Sequence, residues 1–153
     1  MGTAIAPRII TGHIGLNVSD LERSVAFYRR AFGFEQLVAS LDGAQRFAFL
    51  GFGGSPVLTL WEQSSGEFSA ATPGLHHLSF QVDSVQEVQA VEAVLKELST
   101  VFAHDGVVPH REGASSGGIF FTDPDGIRLE VFAATGVEQY EAPAGDAPTC
   151  GFF

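Results

Sequence analysis

The sequence predicts an α+β fold made of two β-α-β-β-β modules in a single domain. Three observations carry that expectation. A strand-like octet is written twice, as His13-Ile14-Gly15-Leu16-Asn17-Val18-Ser19-Asp20 and as His77-Leu78-Ser79-Phe80-Gln81-Val82-Asp83-Ser84, with His77 following His13 by 64 positions. Each octet runs into an amphipathic helical pattern with a good cap. Each helix is followed by short strand-like segments separated by turn residues. The length of 153 residues suits one domain. With 45% hydrophobic and 17% charged residues, the chain has material for a buried core and is not a disordered one.

Each octet alternates apolar and polar residues with period two, the mark of a half-buried strand. Ile14, Leu16 and Val18 share one face, and His13, Gly15 and Asn17 the other. Leu78, Phe80 and Val82 repeat the first face; His77, Ser79 and Gln81 repeat the second. Asp20 is a good N-cap for a helix over Leu21 to Phe32, and Gly33 is a natural stop. Ser84 and Glu87 make a capping box for the second helix, whose apolar stripe of Val85, Val88, Val91, Leu95 and Leu98 runs as far as Ser99. Strands are expected in the first half at 34–41, 45–52 and 56–62, divided by Asp42-Gly43 and Gly53-Gly54-Ser55. In the second half they are expected at 101–103 with 107–108 as one broken strand, at 118–122 and at 127–133. The last two are joined by the turn Asp123-Pro124-Asp125-Gly126. The domain is read as 1–136, with module one at 9–62, a linker at 63–74 and module two at 75–133. Residues 137–153 read as a tail that closes on two phenylalanines.

The charge balance narrows the partners. Asp plus Glu number 18 against 8 Lys plus Arg, a net charge of −10. Such a surface repels phosphate backbones and anionic lipid, so neither nucleic acid nor a membrane is an expected partner. The N-terminus lacks the basic start and apolar run of a secretion signal, and no apolar stretch approaches the roughly 18 residues of a membrane span. One cysteine, Cys150, allows neither an internal disulfide nor a cysteine-built zinc site. A cytoplasmic location is expected.

Strand parity points to chemistry. In the last strand Ile127, Leu129 and Val131 share one face, and Arg128, Glu130 and Phe132 the other. A carboxylate among apolar neighbours is costly to bury without a partner. Two histidines at equivalent places of the repeat, with Glu130, would supply one by holding a metal ion. Two His and one carboxylate on an octahedral cation leave three positions open, which suits Fe2+ and also serves Mn2+, Ni2+ or Zn2+. On spacing alone, a histidine on a polar strand face is as readily a solvated side chain.

The pattern resembles the vicinal oxygen chelate superfamily, which includes glyoxalase I, bleomycin-resistance proteins, fosfomycin-resistance enzymes and extradiol dioxygenases. The resemblance spans about residues 9–133 and rests on His13 to Val18, Phe27-Tyr28, Phe32-Gly33-Phe34, His76 to Asp83, and Phe121-Thr122-Asp123-Pro124-Asp125-Gly126-Ile127-Arg128-Leu129-Glu130. It implies modules whose mixed sheets curl into a cup, with a metal on the concave face held by His13, His77 and Glu130. Parity puts His76 on the opposite face. The substrate implied is a small metabolite chelated through adjacent oxygens. The activity implied is either a glyoxalase-like lyase or isomerase reaction or an extradiol-type dioxygenation. A homodimer is implied too. The alternative is a non-catalytic drug- or metabolite-binding protein of the bleomycin-resistance type, which the acidic charge would suit and the full ligand set would not.

Departures from the family pattern refine the expectation. Glyoxalase I carries a fourth ligand, a Glu, where this chain has Thr59, and Glu62 belongs to the other face unless a bulge intervenes. Fosfomycin thiol transferases carry a Thr where Gly15 stands. The extradiol signature is approached by His110, Asp123-Pro124 and Glu130, with Phe120 in place of a Tyr. The resemblance therefore gives Glu130 and His110 as catalytic candidates, His110 as an acid or base. Thr59, Trp61, Arg111, Phe120 and Phe132 are substrate-binding candidates, with Arg111 placed to hold an anionic group.

Overall fold

A computed structural model describes residues 6–145 and 147–153, apart from the side chain of Phe152. Residues 1–5 of the expected domain and Asp146 of the expected tail lie outside the described residues. Module one runs β1 (Ile14–Val18), α1 (Leu21–Phe32), β2 (Glu35–Ser40), β3 (Phe47–Phe52) and β4 (Ser55–Glu62). Module two runs β5 (Leu78–Val82), α2 (Val85–Glu97), β6 (Val108–Pro109), β7 (Gly117–Thr122) and β8 (Arg128–Ala133). Each module forms one mixed four-stranded sheet, ordered β1-β4-β3-β2 and β5-β8-β7-β6. The outer pair is parallel in both cases, β1 with β4 and β5 with β8. The α+β architecture read from the duplicated octet is the one observed. No described helix is long and apolar enough to cross a membrane.

Local chemistry sets the helix ends. The Asp20 carboxylate accepts the Arg23 N–H, and Gly33 stops α1 in the left-handed region at φ 70°. On α2 the Ser84 and Glu87 side chains satisfy each other's backbone N–H groups, completing the expected capping box. Gly118 is a packing requirement: a Cβ there would sit 1.9 Å from the Val131 carbonyl oxygen, so only glycine lets β7 lie this close to β8.

The edge strand expected at 101–103 and 107–108 is present in broken form, with both pieces lying along β7. Phe102 bridges to Phe121, the Ala103 N–H is donated to the Phe120 carbonyl and the Thr122 N–H to that of Val101. The second piece is Val108–Pro109, one residue later than expected, paired with Gly118 and Gly117. Between these pieces the chain turns through Gly106, at φ 71°.

Both modules share one core. Leu16, Val18, Leu58 and Leu60 of the first sheet and Ile119, Leu129, Val131 and Ala133 of the second belong to the same buried cluster. Phe32 packs on Phe80 at 4.9 Å between ring centres, and Phe34 on Phe80 at 5.9 Å. The turn between β7 and β8 then latches the halves together. Asp125 accepts the Ser19 N–H at 3.0 Å and the Ser19 hydroxyl, and pairs with Arg23 at 2.8 Å. Asp123 accepts the N–H groups of Asp125 and Ile127, each at 2.9 Å, and the hydroxyl of Tyr28 at 2.8 Å. The acids of this turn thus serve as joinery between modules.

Burial raises the Asp123 carboxyl above its ordinary value, and its hydrogen bonds oppose the rise. Burial likewise pushes the Tyr28 hydroxyl well up, so it remains a donor. Tyr28→Phe leaves one buried carboxylate oxygen without that donor and costs about 1–3 kcal/mol. A group with a raised folded pKa favours the fold most below its unfolded value and loses that contribution as pH rises through the folded one. The Tyr28→Phe loss is therefore larger at neutral pH than in acid, where Asp123 is protonated. Urea melts of both proteins across that range check the size and the direction.

Candidate metal centre

Along β8 the side chains alternate. Leu129, Val131 and Ala133 are wholly buried in the core, whereas Arg128, Glu130 and Phe132 take the opposite face. Glu130 lies between Ser79 of β5 and Phe120 of β7 and is only 3% exposed. Two imidazoles reach it. His77, immediately before β5, brings Nε2 to 3.4 Å from Glu130 Oε2. His110, immediately after β6, bonds Glu130 Oε1 through Nε2. The far side of the His110 ring is also held, with Nδ1 2.8 Å from Ser116 Oγ. An ionised carboxylate can only accept, so Nε2 of His110 carries the hydrogen, and in the neutral ring Nδ1 accepts from the Ser116 hydroxyl. Among the described residues no lysine or arginine pairs with Glu130.

Electrostatics at His77 favour the neutral ring, the form that can ligate. Partial burial lowers its pKa, Glu130 pulls upward, and His76 and Arg128 add to the depression. His76 departs from the parity expectation. Both histidines precede the strand proper, so strand alternation does not govern them, and their Nδ1 atoms lie 2.8 Å apart. His76 is exposed, and Glu130 is contacted by His77.

Module one carries the counterpart of this site without its carboxylate. Gly15 pairs with Thr59 as Ser79 pairs with Glu130, so Thr59 is the structural mate of Glu130. Thr59 is 2% exposed and accepts the Trp61 indole N–H at 3.2 Å, while Trp61 stacks on Phe47 at 5.0 Å. Pairing between β3 and β4 is regular from Phe47–Trp61 to Leu50–Leu58, so no bulge turns Glu62 toward Thr59. Glu62 instead accepts the Leu21 N–H at 2.7 Å and pairs with Arg46 at 3.1 Å. Asp20, Glu22 and Glu62 form the one cluster of three metal-capable side chains within mutual reach among the described residues. Each already has a partner: Asp20 caps α1, and Glu22 and Glu62 share Arg46.

The remaining candidates are scattered about this centre. His13 is exposed and does not join His77 and Glu130 within the chain. Phe132 lies 5.1 Å from the His110 ring. Phe120 is fully buried at 6.4 Å from the same ring. Arg111 is exposed in the turn Arg111–Ala114, beside a groove it shares with residues 142–145 and 147–149, and has no ion pair or hydrogen bond with Glu130. Sequence reasoning missed two contributors. Ser116 orients His110, and no pattern marks it. Phe153 lays its ring 5.8 Å from His77 and 5.5 Å from Phe120. Arg128 shares the Glu130 face, which strand parity already stated.

The sequence matches the Glyoxalase/Bleomycin resistance protein/Dioxygenase superfamily over residues 10–131. The chain belongs to this superfamily. A trivalent organoarsenical cleaving enzyme of Bacillus sp. (strain MD1) is 31% identical, over 90% of this chain and 80% of its own. Lactoylglutathione lyase of Salmonella typhimurium is also 31% identical, over 80% of this chain and 90% of its own. A domain of the superfamily from Frankia sp. EAN1pec superposes with a TM-score of 0.71 at 26% identity, covering 83% of this chain and 98% of that one. The fosfomycin resistance protein FosX of Listeria monocytogenes, complexed with Mn(II) and sulfate, gives 0.60 at 26% identity, covering 86% and 98%. Superfamily members thus bind divalent metal and carry several different activities.

His110→Ala leaves a buried carboxylate oxygen without its donor and is expected to cost about 1–3 kcal/mol in the metal-free protein. His110→Gln keeps an N–H donor and is expected to cost less. Denaturant melts of both variants in chelator check the order.

Proposed function

We propose that the chain is a metal-dependent superfamily enzyme acting on a small metabolite chelated through adjacent oxygens, with extradiol-type oxygenation favoured over a glyoxalase-type proton shuttle. One observation carries the reading: a nearly buried carboxylate faced by two imidazoles and, among the described residues, by no lysine or arginine within ion-pair distance. That donor set fits a divalent cation, which would supply the missing countercharge. His77 and Glu130 would hold it, with His13 as the third ligand. The metal is expected to be Fe2+, with Mn2+, Ni2+ or Zn2+ able to enter the same set. When bound, such an ion supplies Lewis acidity toward a chelating substrate, and iron adds redox capacity.

The chain's own residues supply the rest. His110 holds Glu130 in one orientation through Nε2 and is itself held by Ser116, so the carboxylate is preorganised before any ligand arrives. Trp61, Phe47 and Phe132 offer apolar walls. Thr59 stands where a glyoxalase-type base would be needed, and a hydroxyl cannot act as a carboxylate base. That absence favours the dioxygenase reading over the lyase or isomerase one. A purely sequestering protein has no use for converging ligands.

The third ligand requires a second copy. His13 is exposed beside Ile9 and Ile10, which are 89% and 76% exposed, an apolar flank suited to a homodimer interface. His13 of one subunit then completes the His77–Glu130 set of the other. Mixing His13→Ala with Glu130→Gln tests this directly. Subunit exchange makes heterodimers with one intact site of two, so about a quarter of all sites regain tight metal binding in a C2 dimer. Each parent alone binds weakly, and wild type binds about one ion per chain. No recovery on mixing, with a monomer in light scattering, would overturn the shared site. Wild type that takes up no metal on reloading would overturn the enzyme reading itself.

A further inference from the structure

We propose that Arg128 is the specificity-determining residue of this site, binding a carboxylate carried by the substrate beside its chelating oxygens. The proposal rests on the metal-site reading above and adds a substrate class to it, a carboxylate-bearing chelator.

Placement comes first. Arg128 stands two residues before Glu130 on β8, on the same face, and successive same-face residues of a strand lie about 7 Å apart. That separation suits a small molecule whose chelating oxygens and carboxylate are at opposite ends of one ring. Partnering comes second. Arg23, Arg30 and Arg46 are paired to carboxylates, through Asp125, Glu97, and Glu22 with Glu62. Arg8, Arg29 and Arg111 have no such pair among the described residues and are exposed to solvent, whereas Arg128 is half-buried. Arg128 makes no ion pair or side-chain hydrogen bond among the described residues, although the chain carries 18 acidic groups. Its neighbours are aromatic: the guanidinium carbon lies 6.0 Å from the centre of the Phe68 ring and 5.5 Å from that of Phe153. These rings hold the cation by its face and use none of its five N–H donors. A half-buried guanidinium held in place with its donors unspent is prepared for a planar anion.

The support under Arg128 is also built. Phe68 comes from the linker between modules, where its N–H is donated to the Asp125 carbonyl at 3.0 Å. Phe153 follows the short 3-10 turn Thr149–Phe152, which is pinned by Thr149: its hydroxyl is donated to the Pro109 carbonyl and its N–H to that of His110 at 2.8 Å. The same turn therefore ties His110 to the cover over Arg128 and His77. A carboxylate is the favoured oxyanion. It carries a single charge, matching one guanidinium, whereas a phosphonate dianion would bring a surplus charge beside Glu130.

The test titrates 3,4-dihydroxybenzoate, 3,4-dihydroxyphenylphosphonate, catechol and benzoate into wild-type protein and Arg128→Gln, each metal-free and Mn(II)-loaded. Wild type is expected to bind 3,4-dihydroxybenzoate at least 10-fold more tightly than catechol. Arg128→Gln should erase that preference, read as the ratio of the two affinities measured in the same Mn(II)-loaded protein. Tighter binding of 3,4-dihydroxyphenylphosphonate than of 3,4-dihydroxybenzoate would overturn the assignment to carboxylates. An unchanged preference in Arg128→Gln, or no carboxylate preference in wild type, would overturn the role of Arg128. The metal reading fails separately, if catechol binding does not depend on Mn(II). Benzoate binding to metal-free protein that is lost in Arg128→Gln would then still support the anion site.

Discussion

A carboxylate set into the middle of a sheet must find countercharge or donors, and the site is organised around meeting that demand at Glu130. Isolated from water, an ionised carboxylate costs several kcal/mol or more. Glu130 is placed on a central strand by a core that claims its neighbours Leu129 and Val131, and by pairing to β5 on one side and β7 on the other. Its partners enter from strand ends, His77 ahead of the adjacent β5 and His110 beyond β6, which lies on the far side of β7. Neither is a fixed cation. The arrangement is therefore short of charge, the condition under which a buried anion becomes a cation site.

Duplication explains why the demand arises only once. Both modules use the same registers, yet Thr59 fills in the first the place that Glu130 fills in the second. A threonine satisfied by Trp61 needs no ion, so module one's face closes on its own aromatic stack. The turns differ in the same sense. Between β3 and β4 the chain reverses through Gly53 and Gly54, which are glycine for their positive φ. Between β7 and β8 it reverses through Asp123 and Asp125, which reach out to Tyr28, Ser19 and Arg23 of the first module. One copy specialised in joining the halves and presenting a carboxylate, the other in offering packing surface.

Much of this was legible in the sequence, wherever the determinant is local. The Asp20 cap, the Gly33 stop and the Ser84–Glu87 box fix helix ends within a few residues, and alternation with turn residues locates the strands, the broken edge strand along β7 included. Parity did not place His76, since it holds only inside a strand and both histidines lie just before it. Ser116 and Phe153 act through contacts made by the folded chain alone. Arg128 is different. Parity placed it on the Glu130 face from the outset, and the absence of a carboxylate partner among the described residues is visible only in the folded chain.

Charge balance then links the site to the rest of the molecule. The two relatives at 31% identity carry different activities, so overall likeness does not select a reaction. Local charge is more discriminating. On the proposed reading, a divalent ion beside one carboxylate would leave one net positive charge, and Arg128 would raise the local total to two within a chain of net −10. Such a focus would attract an anionic ligand that the acidic surface around it repels. Its position would select a doubly charged ligand, one charge at its chelating oxygens and one a strand repeat away. A neutral diol or a thiol adduct charged at a remote end would satisfy only half of it.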